Sequence, residues 1–276
     1  MTTRRPSRKR RRLPLGGTLS VQAGRIVLAA IVFALWEFGS GRLFDAFYFS
    51  KPSLIFLKIA SELGASGFYV DLLVTAQEMV AGYTIGAVAG VALGVLLARW
   101  DYVANVLSPF LLALNSIPRI ALAPMLIVWF GIGMASKVFL GATLVFFITF
   151  FNTLSGVRGV DKALCDVARV QGATQWQIFT KVMLPSASSW ILTGLKMSLP
   201  FALVGVILGE FLVSSKGLGY RLNAYSTGYD TTGALAMVFV MMIIMMALTA
   251  GVDAIEARVL RWRPRDNDNG QIAPRA

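Results

Sequence analysis

The sequence contains no histidine and a single cysteine, Cys165. Without histidine the chain cannot build a Ser-His-Asp triad or the usual zinc sites. One cysteine excludes an intrachain disulfide. No Gly-x-x-x-x-Gly-Lys-Ser/Thr phosphate loop occurs, so if nucleotide hydrolysis drives this protein, the nucleotide must be bound by another subunit. Charge is scarce as well. Only 14% of the 276 residues are charged, and 14 acidic residues face 26 basic ones. No nucleophile–base constellation is visible, which places a membrane enzyme last among the function classes.

What remains is apolar. Hydrophobic residues make up 56% of the chain and the mean hydropathy is +0.68. That is too apolar for a soluble domain and predicts an all-α polytopic membrane protein. The net charge of +12 is concentrated at the ends: Arg4, Arg5, Arg8, Lys9, Arg10, Arg11 and Arg12 at one, Arg258, Arg261, Arg263 and Arg265 at the other. Nucleic-acid binding is the competing reading of such runs. Their place beside apolar spans favours topology signals with some lipid contact, and no nucleic-acid partner is expected. Residues 1–24 read as a basic cytoplasmic tail, 25–262 as one membrane domain and 263–276 as a polar tail.

Six spans are predicted: Arg25–Gly41, Leu72–Ala98, Val106–Phe130, Lys137–Val157, Ser188–Val213 and Thr232–Ala254. The first, with its basic head and small residues after it, has a cleaved signal peptide as its rival. Arg25 can snorkel and Trp36 can sit at the far interface, which favours a retained span. A short amphipathic helix is expected from Lys51 to about Leu63 on the outer surface. Gly82, Gly86, Gly90 and Gly94 form a small-residue stripe on which another helix can pack closely. Met237, Met241, Met242, Met245 and Met246 read as adaptable packing in the sixth span.

Two charged positions at membrane depth stand out. Arg119 lies between Pro118 and Pro124, in a span that also holds Pro109, where a broken helix must face protein or water. It is either functional or an arginine snorkelling nearer an interface. Glu210, near the outer end of the fifth span, is either a gate element partnered by Arg221 or Lys216, or a solvated interfacial group. The loop Ser214–Thr231 that follows is rich in Gly and Tyr.

The most patterned stretch is polar and runs from Arg158 to Pro185. Asp161 is a helix N-cap. Val160, Ala163, Leu164, Val167 and Val170 recur at helical spacing. Gly172 suits a left-handed stop. Thr174 and Gln177 form a capping box that starts a second helix with Trp176 and Phe179 on its apolar side. Pro185 is expected to close the unit. Trp176 and Phe179 can pack on a partner or on the protein itself. Lys and Arg bias puts this helix-turn-helix and both termini in the cytoplasm.

Asp166, Val167 and Ala168, then Gly172, then Val182, Met183, Leu184 and Pro185 resemble the signature of inner-membrane permeases of binding-protein-dependent ABC importers, spacing included. Asp166 stands where that family usually has glutamate, Val167 where it has alanine and Val182 where it has isoleucine. Asn115–Arg119, Trp129–Gly133, Gly209–Leu212 and Lys216–Tyr220 are similar to the subgroup for nitrate, taurine and aliphatic sulfonates, and to permeases for thiamine-precursor pyrimidines. The resemblance implies a type I ABC importer permease: six spans with the coupling helix-turn-helix (158–185) between the fourth and fifth. It implies a permease dimer, expected here as a homodimer, two ATPase subunits that bind the ATP, and a periplasmic solute-binding protein. The chain itself then needs no cofactor or metal and resides in the bacterial inner membrane. The implied coupling residues are Asp166, Val167, Ala168, Gly172, Val182, Leu184 and Pro185. Arg119 and Glu210 are the translocation or gate candidates. The competing function is a stand-alone ion-coupled carrier that uses Glu37, Glu78, Lys196 and Glu210 as buried charges.

Overall fold

A computed structural model describes residues 17–259. The arginine runs at positions 4–12 and 261–265 and the polar tail lie outside the described residues. The described residues form α1 (Gly17–Gly39), a short turn α2 (Ala46–Phe49), α3 (Pro52–Leu63), α4 (Ser66–Ala98), α5 (Asp101–Ser116) and α6 (Ala123–Phe130). These are followed by α7 (Met134–Arg158), α8 (Lys162–Val170), α9 (Gln175–Ile178), α10 (Leu184–Val213), α11 (Leu218–Thr227) and α12 (Thr231–Val259). Five helices are long and apolar enough to cross a membrane by themselves. The pair α5 and α6 makes a sixth span, bent by 72° at its break.

The bundle is organised around α7, the most buried of the spans, with α4 on one side and α10 on the other. Glycine explains the close approach. A β-carbon on Gly82 would come within 2.9 Å of the Val138 carbonyl, and one on Gly86 or Gly90 would overlap the Ala142 carbonyl or the Thr149 hydroxyl. On the other face, a β-carbon on Gly205 would lie 2.6 Å from the Gly141 Cα. In a bilayer, where lipid is as apolar as leucine, such contact supplies the packing energy that burial supplies in water. The small-residue stripe therefore faces α7 and not lipid. Val145 and Phe150 of α7 are wholly buried as a result.

Three expectations change. The span predicted as Val106–Phe130 is two helices. Pro109 is accommodated inside α5, but Pro118 ends that helical path, a 3-10 turn spans Arg119–Leu122, and Pro124 sits in the first turn of α6. Proline disfavours α conformation in the residue before it, and Ile117 is extended. The loop Ser214–Thr231 contains helix α11, which its Gly and Tyr content concealed. Pro185 does not close the helix-turn-helix. A π turn, Phe179–Met183, carries the chain from α9 straight into α10, with Pro185 in the first turn of α10. A proline ring clashes with the carbonyl four residues back, here Lys181, and the wider π turn relieves that clash.

The far end of α1 is tied in by specific contacts. Trp36 stacks on Phe239 of α12 and donates from Nε1 to the Phe49 carbonyl at 3.1 Å. Glu37 accepts from the Ser53 amide and hydroxyl, capping α3 at 2.9 and 2.7 Å.

Candidate functional site

The helix-turn-helix is assembled by local chemistry. Asp161 accepts from the Ala163 amide at 2.9 Å and begins α8. Gly172 has φ +81°, and a β-carbon there would touch nothing, so glycine is required by the backbone and not by lack of room. The Gly172 amide donates to the Arg169 carbonyl and the Ala173 amide to the Ala168 carbonyl, closing the turn. The capping box is complete: the Thr174 amide donates to Gln177 Oε1 at 2.8 Å and the Gln177 amide to Thr174 Oγ1 at 3.3 Å.

The two helices have different surroundings. α9 and the π turn are anchored: Ile178 is buried, and Phe179 and Met183 pack on Ala98, Val157 and Ala187, at the joined ends of α4, α7 and α10. Trp176 lies against Phe179 and under the Arg99 guanidinium, 5.0 Å from its ring centre. α8 turns Cys165 inward and leaves Leu164, Val167 and Val170 in the open, Val170 at 89% exposure. Asp166 is exposed beside that stripe and bonds Arg169 of its own helix at 2.7 Å. Of the residues singled out in this stretch, Val182 and Leu184 are half-buried on the anchored side, while Val167 and Gly172 are exposed and Ala168 is half-buried.

Arg119 occupies the break in the bent span. Its guanidinium lies over the Phe147 ring, 4.3 Å from the centre, and donates from Nη2 to the Asn115 carbonyl at 3.0 Å and to Asn115 Oδ1 at 2.5 Å.

Glu210 lies at the opposite end of the bundle from α8, and its expected partners and its solvated alternative are corrected. It is fully buried and not solvated. Its partners are Thr75 Oγ1, at 2.7 Å, and the Gly219 amide, at 2.7 Å. Neither Arg221 nor Lys216 reaches it. Arg221 is held by Asp71 and Glu62, and Tyr225 donates to Glu62. The turn Gly217–Gly219 is clamped onto α4: the Gly217 amide donates to Asp71 Oδ1 at 2.8 Å and the Leu218 amide to Thr75 Oγ1 at 2.9 Å. Beside Glu210, Lys137 of α7 forms a buried ion pair with Glu78 of α4 and donates to Ser214 Oγ at 3.2 Å.

This buried polar cluster was not found as a unit in the sequence, yet a signal exists. Asp71, Thr75, Glu78, Gly82, Gly86, Gly90 and Gly94 follow one another at three- or four-residue steps, and all are buried. The polar residues continue the glycine stripe along one face of α4. The four charges of the carrier reading, in contrast, are dispersed. Glu37 caps α3, Lys196 pairs with Asp253 and lies 3.7 Å from Glu256 on α12, and only Glu78 and Glu210 share a neighbourhood.

A helical membrane bundle with one broken span and an exposed amphipathic helix-turn-helix between two others defines a transporter permease subunit. The chain belongs to the family described as binding-protein-dependent transport system inner membrane component, which matches residues 86–261. It is 29% identical over 235 residues to the formylaminopyrimidine transport permease protein ThiX of Halalkalibacterium halodurans, covering 85% of this chain and 94% of that one. It is 30% identical over 239 residues to the putative aliphatic sulfonates transport permease protein SsuC of Bacillus subtilis, covering 86% and 87%. A chain of the MetNI methionine ABC transporter, solved in an inward-facing conformation, shares the fold with a TM-score of 0.59 at 22% identity, covering 66% of this chain and 91% of that one. The chain is thus an inner-membrane transport component and not a catalytic subunit.

Proposed function

We propose that two copies of this chain form the translocation path of an ATP-driven importer for a small anionic solute such as nitrate, taurine or an aliphatic sulfonate. Two ATPase subunits bind the ATP, and a periplasmic binding protein delivers the solute. The helix-turn-helix and both termini face the cytoplasm, and the Gly217–Gly219 turn faces the periplasm.

One observation carries the coupling role. α8 leaves its apolar side, Leu164, Val167 and Val170, unburied next to the charged pair Asp166 and Arg169, while α9 is fastened to the ends of three spans. An apolar stripe in water is stable only when something covers it, and a stripe of this size suits a groove in a soluble partner. A load placed on α8 reaches α10 through a continuous helical path from Gln175 to Val213. ATP-driven closure of the ATPases then moves the helix-turn-helix, and the spans rock between inward-open and outward-open forms.

The sulfonate permease supports an anionic solute. The pyrimidine permease supports a thiamine-precursor-type pyrimidine, and Arg119 at membrane depth favours the anion. The test is reconstitution: permease, ATPase and binding protein in proteoliposomes, with uptake measured against ATP. Uptake that proceeds without the ATPase would contradict the proposal and restore the carrier reading.

A further inference from the structure

We propose that Arg119 is the counter-ion for the oxyanion group of the solute in transit, with Asn115 holding the guanidinium and Phe147 supporting its face. The assignment rests on the permease reading above and goes beyond it by naming the group that selects the solute's charge.

Depth is fixed by Phe147, which lies midway along the span Met134–Arg158. A guanidinium 4.3 Å from that ring sits near the middle of the apolar layer. The hydrocarbon core is about 30 Å thick, so lipid headgroup phosphates are out of reach. An arginine at such a depth is costly unless an anion or water meets it.

Among the described residues, no carboxylate meets it. Both of its hydrogen bonds leave from Nη2 and go to Asn115. Among the described residues, the Nε and Nη1 donors have no acceptor. The other cations inside the bundle differ: Lys137 has Glu78, Lys196 has Asp253, and Arg221 has Asp71 and Glu62. Arg119 alone of these four is held by neutral groups and left with its charge unmatched.

The geometry limits the missing partner. Phe147 takes the face of the guanidinium and Asn115 takes Nη2, so Nε–H and Nη1–H stay free in the guanidinium plane on different edges. Each can donate to a single oxygen of a nitrate, sulfonate or carboxylate. The bend next to Arg119 opens the helical path, so the bent span offers irregular backbone where a cavity would be lined. The match lasts only while the anion passes, because Asn115 and Phe147 keep the guanidinium in place before and after.

The test uses the assembled transporter in proteoliposomes, with radiolabelled nitrate, methanesulfonate and formylaminopyrimidine as probes. Wild type should carry at least one of the two anions. Arg119→Gln should lower that uptake at least tenfold while co-purifying with the ATPase as wild type does, and Arg119→Lys should retain part of it. In a Cys165→Ser background, Arg119→Cys should react with a water-soluble thiosulfonate reagent, and the anion should slow that reaction. Equal anion uptake by Arg119→Gln, carriage of the neutral pyrimidine alone, or an unreactive Arg119→Cys overturns the assignment and leaves the permease reading standing. Failure of the wild-type chain to bind an ATPase at all overturns the permease reading instead.

Discussion

Lys137 of α7 and Glu78 of α4 form a buried ion pair at the end of the bundle opposite the helix-turn-helix. Glu210 lies beside the pair, close to Glu78. Lys137 thus pairs with Glu78 of α4 and also lies within electrostatic reach of Glu210 of α10. Removing it leaves acidic groups facing each other out of water. Lys137→Met should destabilise the detergent-solubilised protein by about 3–5 kcal/mol, read as a lowered melting temperature. Adding Glu78→Gln should recover part of that loss. Equal melting of Lys137→Met and wild type would show the pair to be hydrated.

Close packing gives a second prediction. Gly86→Leu and Gly90→Leu must push α4 away from α7, because backbone and the Thr149 side chain already fill the space. Both should reduce the yield of folded protein sharply. Gly24→Leu and Gly251→Leu, where an added β-carbon meets nothing within 4 Å, should be tolerated. Loss in all four variants would point to insertion and not to the α4–α7 contact.

Glu210 holds the Gly217–Gly219 turn by accepting two hydrogen bonds, from Thr75 and from the Gly219 amide. Glu210→Gln offers one good acceptor and turns a donor toward the other site. The turn should loosen, seen as faster amide exchange at residues 217–220, and uptake should fall. Unchanged exchange with lost uptake would separate a gating charge from a structural clamp.

Tyr225 gives a pH-dependent prediction. Burial and the hydrogen bond to Glu62 push its phenol up to about 12, from an ordinary value of about 10. The folded state thus holds this proton longer than the unfolded one. The stability it contributes is complete below about pH 10 and is lost as pH rises through about 12. A tyrosinate absorbance titration should show one late-titrating group that Tyr225→Phe abolishes. Stability of that variant should fall less between those two values than that of wild type.

The helix-turn-helix was legible because its determinants are local. Asp161, Gly172, Thr174 and Gln177 each act within three residues of themselves, and the structure realises each cap and turn. The glycine stripe was legible for the same reason, since helical spacing is a short-range property. The clamp on Glu210 was not. It joins Thr75 and Glu210 across 135 residues, and sequence proximity pointed to Arg221 and Lys216 instead. α11 was missed because its glycines argue against a helix, while Asp71, Thr75 and Glu210 hold its first turn from other elements. The break at Pro118 was readable as a proline effect, but the 72° bend depends on how α6 packs against α7.

The central claim is that α8 transmits ATPase motion to the spans, and the bend at Gly172 tests it most directly. Gly172→Val forces a β-branched residue to φ +81°, at a cost of about 1–3 kcal/mol confined to the helix-turn-helix. Asp166→Ala removes an exposed acceptor, and a lost charge-assisted hydrogen bond is worth about 1.5–3 kcal/mol. The measurement is co-purification of the ATPase with each variant, together with ATP-dependent uptake in proteoliposomes. Both variants should reach the membrane in normal amounts, bind the ATPase poorly and lose uptake, while Asp166→Glu should remain active. Normal ATPase binding and normal uptake by Gly172→Val and Asp166→Ala would contradict the account and leave α8 as a passive loop.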